Sequence, residues 1–183
     1  MGREALRDNT TASNNTAFGL ISLQSNATGA SNTALGSNTL QDNTTGDNNT
    51  AVGHSALKVN ISGGNNVAVG QIALENNTTG GQNVAIGRGS MASNTTASNN
   101  VAVGINALAA NTDATGNVAV GAAALNQSTG QNNTAVGCFT MDSNTTGQLN
   151  TGIGRGALGV GWVISFPQAD RLNGDSRFAA SLG

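Results

Sequence analysis

Large apolar residues occur at one fixed place before a recurring glycine: Phe18, Leu35, Val52, Val69, Ile86, Val103, Val120, Val136 and Ile153. Two positions earlier stands a β-branched residue, Thr16, Thr33, Thr50, Val67, Val84, Val101, Val118, Thr134 and Thr151. The residue between them is alanine in every unit except the last, which has Gly152. Period-two alternation rich in β-branched side chains predicts a short strand in each unit. A second apolar column follows four residues after the glycine: Leu6, Leu23, Leu40, Leu57, Leu74, Met91, Leu108, Leu125, Met141 and Leu158. It predicts a second short strand, or a straight strand-like segment, facing the first.

The glycines set the period. Gly2, Gly19, Gly36, Gly53, Gly70, Gly87, Gly104 and Gly121 are 17 residues apart, and Gly137 and Gly154 follow. A unit of this size cannot bury its own apolar side, so tandem copies at a fixed period predict a solenoid in which neighbouring coils share a core. Polar turns separate the two apolar segments, one at the glycine and one written Asn-Thr-Thr-Gly at 43–46, 77–80 and 144–147. Gly and Asn suit such turns because both tolerate positive φ. The predicted architecture is an all-β parallel β-roll over residues 1–158, in 17-residue coils of two short strands each. Residues 159–183 form a separate non-repeat segment.

With β-branched residues facing into the coil, Ala17, Ala34, Ala51, Ala68, Ala85, Ala102, Ala119 and Ala135 make an outward strip of small apolar side chains. Such a strip suits close contact between identical chains about an axis. With the faces reversed, alanine fits a tight interior and another apolar column is left wanting a partner.

The polar column four residues before the glycine is invariant: Asn15, Asn32, Asn49, Asn66, Asn83, Asn100, Asn117, Asn133 and Asn150. An amide offers a donor and an acceptor, so stacked asparagines bond along the rod or clamp the turn backbone. The alternative is a repetitive ligand-binding ladder. The Asn-x-Thr sequences that look like glycosylation acceptors arise from the repeat itself.

Composition narrows the function classes. The chain has 37% apolar, 9% charged and 3% aromatic residues with a net charge of −2. Strict apolar register argues against the disorder that so much Asn, Thr, Gly and Ser would otherwise suggest. Seven basic against nine acidic side chains leave no basic patch, and no nucleic-acid partner is expected. No apolar run approaches the roughly 18 residues of a membrane span, so no membrane insertion is expected. The N-terminal residues match the second half of a repeat rather than a secretory leader. That start fits a chain cut from a longer one, or one beginning flush against another subunit.

No enzymatic, metal or cofactor site is expected. His54, the single histidine, stands in the variable column after the glycine without companion ligands, and Cys138 has no base in register. Asp42, Asp47, Asp113 and Asp142, the carboxylates a glycan hydrolase would need in a facing pair, are scattered among turns. Trp162, Phe166, Arg171, Arg177 and Phe178 concentrate beyond the repeats, where a cap, a junction or a receptor contact is expected.

The unit Asn-Thr-Ala-Val-Gly-x-x-Ala-Leu at 49–57, repeated with Val for Thr at 66–74 and 100–108, resembles the head repeats of trimeric autotransporter adhesins of the Yersinia type. It is similar also to repeats of bacteriophage tail-fibre proteins. The resemblance covers about residues 2–158. It implies a left-handed roll, a homotrimer, and a non-enzymatic role in host attachment through a cell-surface glycan or protein, alongside neighbouring fibre or virion proteins. The 17-residue unit, longer than the usual adhesin head repeat, favours a tail fibre on a virion over an adhesin at a bacterial cell surface. An ice-binding solenoid is a further alternative, weakened if the threonine column faces inward.

Overall fold

The computed structural model describes residues 2–159. The segment carrying Trp162, Phe166, Arg171, Arg177 and Phe178 lies outside the described residues. The described chain is all-β, without helix: nine strands form one sheet, each pairing in parallel with the next in chain order. They are β1 (Thr16–Phe18), β2 (Thr33–Leu35), β3 (Thr50–Val52), β4 (Val67–Val69), β5 (Val84–Ile86), β6 (Val101–Val103), β7 (Val118–Val120), β8 (Thr134–Val136) and β9 (Thr151–Ile153). The register sets like against like, Thr16 opposite Thr33, Ala17 opposite Ala34 and Phe18 opposite Leu35. The result is a β-solenoid of about eight turns with coils of about 17 residues.

Each strand is three residues long because the glycine after it turns the chain. Gly70 has φ 134°, and a Cβ there would lie 2.7 Å from the carbonyl oxygen of Gly87 in the next coil. A side chain would meet both a left-handed backbone and a wall of neighbouring backbone. Gly70→Ala is expected to cost about 2–4 kcal/mol, measurable as a lower denaturation midpoint. Gly64→Ala is the matched control. Its Cβ approaches nothing nearer than the Asp47 carbonyl at 3.1 Å, and its effect is expected to stay within about 1 kcal/mol.

The second leg of each coil departs from the expected second strand. Residues two and four after the glycine take left-handed conformations, as in Ile72 (φ 53°) and Leu74 (φ 54°). The leg is still stacked coil upon coil by backbone hydrogen bonds. The Ile72 N–H donates to the His54 carbonyl of the coil before (2.9 Å), and the Leu74 N–H to the Ser90 carbonyl of the coil after (2.9 Å). A left-handed residue with a Cβ costs roughly 1–2 kcal/mol. Burying the Leu74 side chain completely offsets this by about 1.5–3 kcal/mol. The apolar column was legible, but its conformation was not.

The faces of the sheet are also the reverse of the first expectation. Ala34, Ala51, Ala68, Ala85, Ala102, Ala119 and Ala135 are fully buried and Ala17 nearly so, packed with the Leu column in one continuous core. They therefore form no outward contact strip. The Thr/Val and Val/Ile columns on either side of each alanine point outward instead, so every strand is buried at its centre and open at both ends. The coil is thin, and the leucine from the opposite leg fills it. Only a methyl group remains to be placed beneath each strand, and valine or isoleucine there would overpack the layer.

Candidate interaction surface

The outward face of the sheet is a two-column strip. One column runs Thr16, Thr33, Thr50, then four valines, then Thr134 and Thr151; the other carries Val, Ile, Leu and Phe. With strands about 4.8 Å apart, nine in-register strands make a strip roughly 40 Å long. Phe18 and Ile153, at its two ends, are 65% and 73% exposed. Leu35, Ile86 and Val136 are exposed as well, and Val52, Val69, Val103 and Val120 are half-buried. A soluble chain rarely leaves so continuous an apolar patch open to water without a use for it.

The invariant asparagines lie inside, not on a ligand-facing surface. Asn32, Asn49, Asn66, Asn83, Asn100, Asn117 and Asn133 are fully buried, Asn150 nearly so and Asn15 partly. From Asn15 to Asn133, each side-chain oxygen accepts the backbone N–H of the next asparagine in the column, as Asn66 Oδ1 does from Asn83 N at 3.0 Å. From Asn15 to Asn100, and again at Asn133, the Nδ2 reaches the corner carbonyl of the coil above; that of Asn66 donates to Gly80 O at 2.9 Å.

A second buried amide ladder, seven residues after the glycine, was hidden in the turn motif: Asn26, Asn43, Asn60, Asn77, Asn94 and Asn111. Its members bond directly to one another, Asn60 Nδ2 to Asn43 Oδ1 at 2.7 Å and Asn77 Nδ2 to Asn60 Oδ1 at 2.7 Å. Each also donates to the corner carbonyl of its own coil, as Asn77 does to Gly80 O at 2.9 Å. The Gly80 carbonyl thus receives one amide from each ladder, occupying both its lone pairs. The signal lay in the same 17-residue period, where this column is nearly as constant as the first.

Other candidate residues occupy the surface. His54 is exposed in the variable column, among Arg3, Gln71, Arg88, Ile105 and Arg155, also exposed; Cys138 in the same column is half-buried. Asp47 is bound into a corner, its Oδ1 accepting the Ala30 N–H at 2.6 Å. Asp113 accepts the Thr112 hydroxyl at 3.2 Å. In the first coil Arg7 lies 2.9 Å from Asp8 and 3.3 Å from Glu4. The hydrogen bond from Arg7 holds the Asp8 carboxyl below its usual range, and the bond to Asp8 raises the Arg7 guanidinium. Arg7 and Asp8 are exposed and Glu4 is half-buried, and the cluster reads as a solvated edge. Among the described residues, no helix is long and apolar enough to cross a membrane.

No family model, curated protein or solved structure matches the chain.

Proposed function

We propose that the chain is a structural and adhesive segment of a homotrimeric fibre, of the kind carried on a phage virion, that attaches to a host-cell surface without catalysing a reaction. The observation that carries this reading is the uncovered strip of β-branched and apolar side chains running the whole length of the sheet. A rod that is already closed inside by its Ala and Leu columns has no internal use for that strip. A sister chain laid along it matches its length, its straightness and its chemistry, because identical columns repeat at the same spacing. The number three, the handedness and the virion setting rest on the resemblance of the Asn-Thr-Ala-Val-Gly repeats to tail-fibre and adhesin-head repeats. Three identical chains would present each attachment feature three times, so weak single contacts to a surface glycan or protein would add up. A bacterial adhesin head, the alternative, shares every one of these features and differs in what carries it.

Sedimentation equilibrium or light scattering tests the assembly. The expected mass is three times the 18.0 kDa of the chain; a monomer at micromolar concentration overturns the reading. Binding to bacterial surface polysaccharides, with no sugar released on long incubation, is the expected functional result.

A second reading draws on the same face. Thr16, Thr33 and Thr50 point outward in register beside aliphatic side chains, an arrangement that also suits ordered water. An ice-binding solenoid would be monomeric with this strip free and would show thermal hysteresis. The fibre segment would show none.

A further inference from the structure

One coil is short. Gly121 and Gly137 are 16 residues apart, and Ser128 stands where the second amide ladder has asparagine. Several of the bonds that join neighbouring coils at this corner are missing, while Asn132 N still donates to Thr115 O at 3.0 Å and Asn133 N to Asn117 Oδ1 at 2.9 Å. Asn111 Nδ2 reaches down to Asn94 Oδ1 at 3.2 Å, but no side-chain amide sits above it to continue the ladder. Asn117 Nδ2, fully buried, has no hydrogen-bond partner, whereas Asn100 Nδ2 one coil earlier donates to Ala114 O at 3.0 Å. Thr95 donates both its N–H and its hydroxyl to the Thr112 carbonyl above it, at 2.9 and 3.0 Å. The Thr112 hydroxyl turns instead to Asp113, and among the described residues the N–H groups of Thr112 and Asp113 make no such bond to the next coil. The sheet side of the same junction is intact, with Val118 N donating to Asn133 O at 2.8 Å and Gly137 N to Val120 O at 2.7 Å.

We propose that this shortened corner, residues 111–117 against 128–131, is a built-in opening point at which the rod parts locally while β7 and β8 act as the hinge. A solenoid holds together through nearest-neighbour interfaces, so its weakest junction divides it into blocks that open separately. An orphaned buried donor and an interrupted ladder weaken this junction at the corner alone. The proposal concerns one chain's coils and holds whether or not the rod assembles with others.

Residue-resolved hydrogen exchange on the whole chain tests it. The backbone amides of Asn133, Asn83 and Asn66 donate to the same type of acceptor, the side-chain oxygen of the preceding asparagine, at 2.9–3.0 Å. After correction for intrinsic rates, Asn133 is expected to exchange at least tenfold faster than Asn83. In a repaired chain, with Ser128→Asn and one threonine inserted after Thr129 to restore the 17-residue coil, the difference is expected to vanish. Equal protection of Asn133 and Asn83 in the unaltered chain overturns the proposal, as does a repaired, folded chain in which the difference persists. Should the repaired chain fail to fold, the comparison within the unaltered chain decides by itself.

Discussion

Asn66→Ala is expected to be among the most damaging single changes in the rod, lowering stability by about 3 kcal/mol. Asn66 sits in the middle of the stack, fully buried. Its Oδ1 accepts from both Asn83 N (3.0 Å) and Asn83 Nδ2 (3.1 Å), and its Nδ2 donates to Gly80 O (2.9 Å) and Asn49 Oδ1 (3.1 Å). Removing the amide leaves the Asn83 N–H buried without an acceptor, a penalty of about 1–3 kcal/mol; Gly80 O, Asn49 Oδ1 and Asn83 Nδ2 each keep another partner, so the other three bonds add only about 0.5 kcal/mol each. For a chain of this length the loss corresponds to a fall of about 6–12 °C in unfolding temperature, readable by circular dichroism. Asn66→Asp separates hydrogen bonding from shape. It keeps the volume but sets an oxygen against the Gly80 carbonyl and buries a charge, so at neutral pH it is expected to be at least as harmful as alanine. Thr79→Ala, on an exposed turn position of the coil above, is expected to change stability by less than about 0.5 kcal/mol. An Asn66→Ala chain as stable as Thr79→Ala would mean that the ladder contributes nothing.

The ladder shows what the sequence made legible and what it hid. Period, register and parallel stacking follow from the glycine spacing alone, because an identical residue 17 positions on must lie on the adjacent coil if the coils stack. Which face points inward does not follow. Alternation distinguishes the alanine column from its neighbours without saying which is buried, and the usual expectation that Val and Ile go inside fails here for a geometric reason. The interior is one leucine thick, a dimension set by the opposite leg, and that leg is not the strand its apolar column predicts. Its Leu column suggests an extended strand, yet Leu57 and Leu74 take φ of 52° and 54°. Leucine has no preference for that conformation, so no local signal announces it; the neighbouring column, with Asn38, Gly89 and Asn106 at the first left-handed position, carries a partial one. The second amide ladder was visible as a column but was absorbed into a turn motif, since Asn-Thr-Thr-Gly already has a local explanation.

The reversal of the faces makes neighbouring residues of one strand respond oppositely to substitution. In β6, Ala102 is fully buried and Val103 is half-buried on the outer strip. Ala102→Val adds two methyl groups to a layer already filled by Leu108 and its stacked neighbours, and is expected to destabilise the single chain by about 1–3 kcal/mol. Val103→Asp leaves that layer untouched and costs the isolated chain about 1 kcal/mol in strand preference and packing. Within a trimer joined along this strip it places one carboxylate from each chain in a dry seam, at about 3–5 kcal/mol for each unpaired buried charge. The expected result is dissociation: the mass in solution falls from three chains to one, while the far-ultraviolet signal of the β-solenoid persists. Val103→Thr, which keeps the shape without the charge and matches the residue types already present on the strip, is expected to retain the trimer. A Val103→Asp chain that stays trimeric would place the seam elsewhere on the coil. If the unaltered chain is monomeric and shows thermal hysteresis that Val103→Asp abolishes, the same face orders water rather than sister chains.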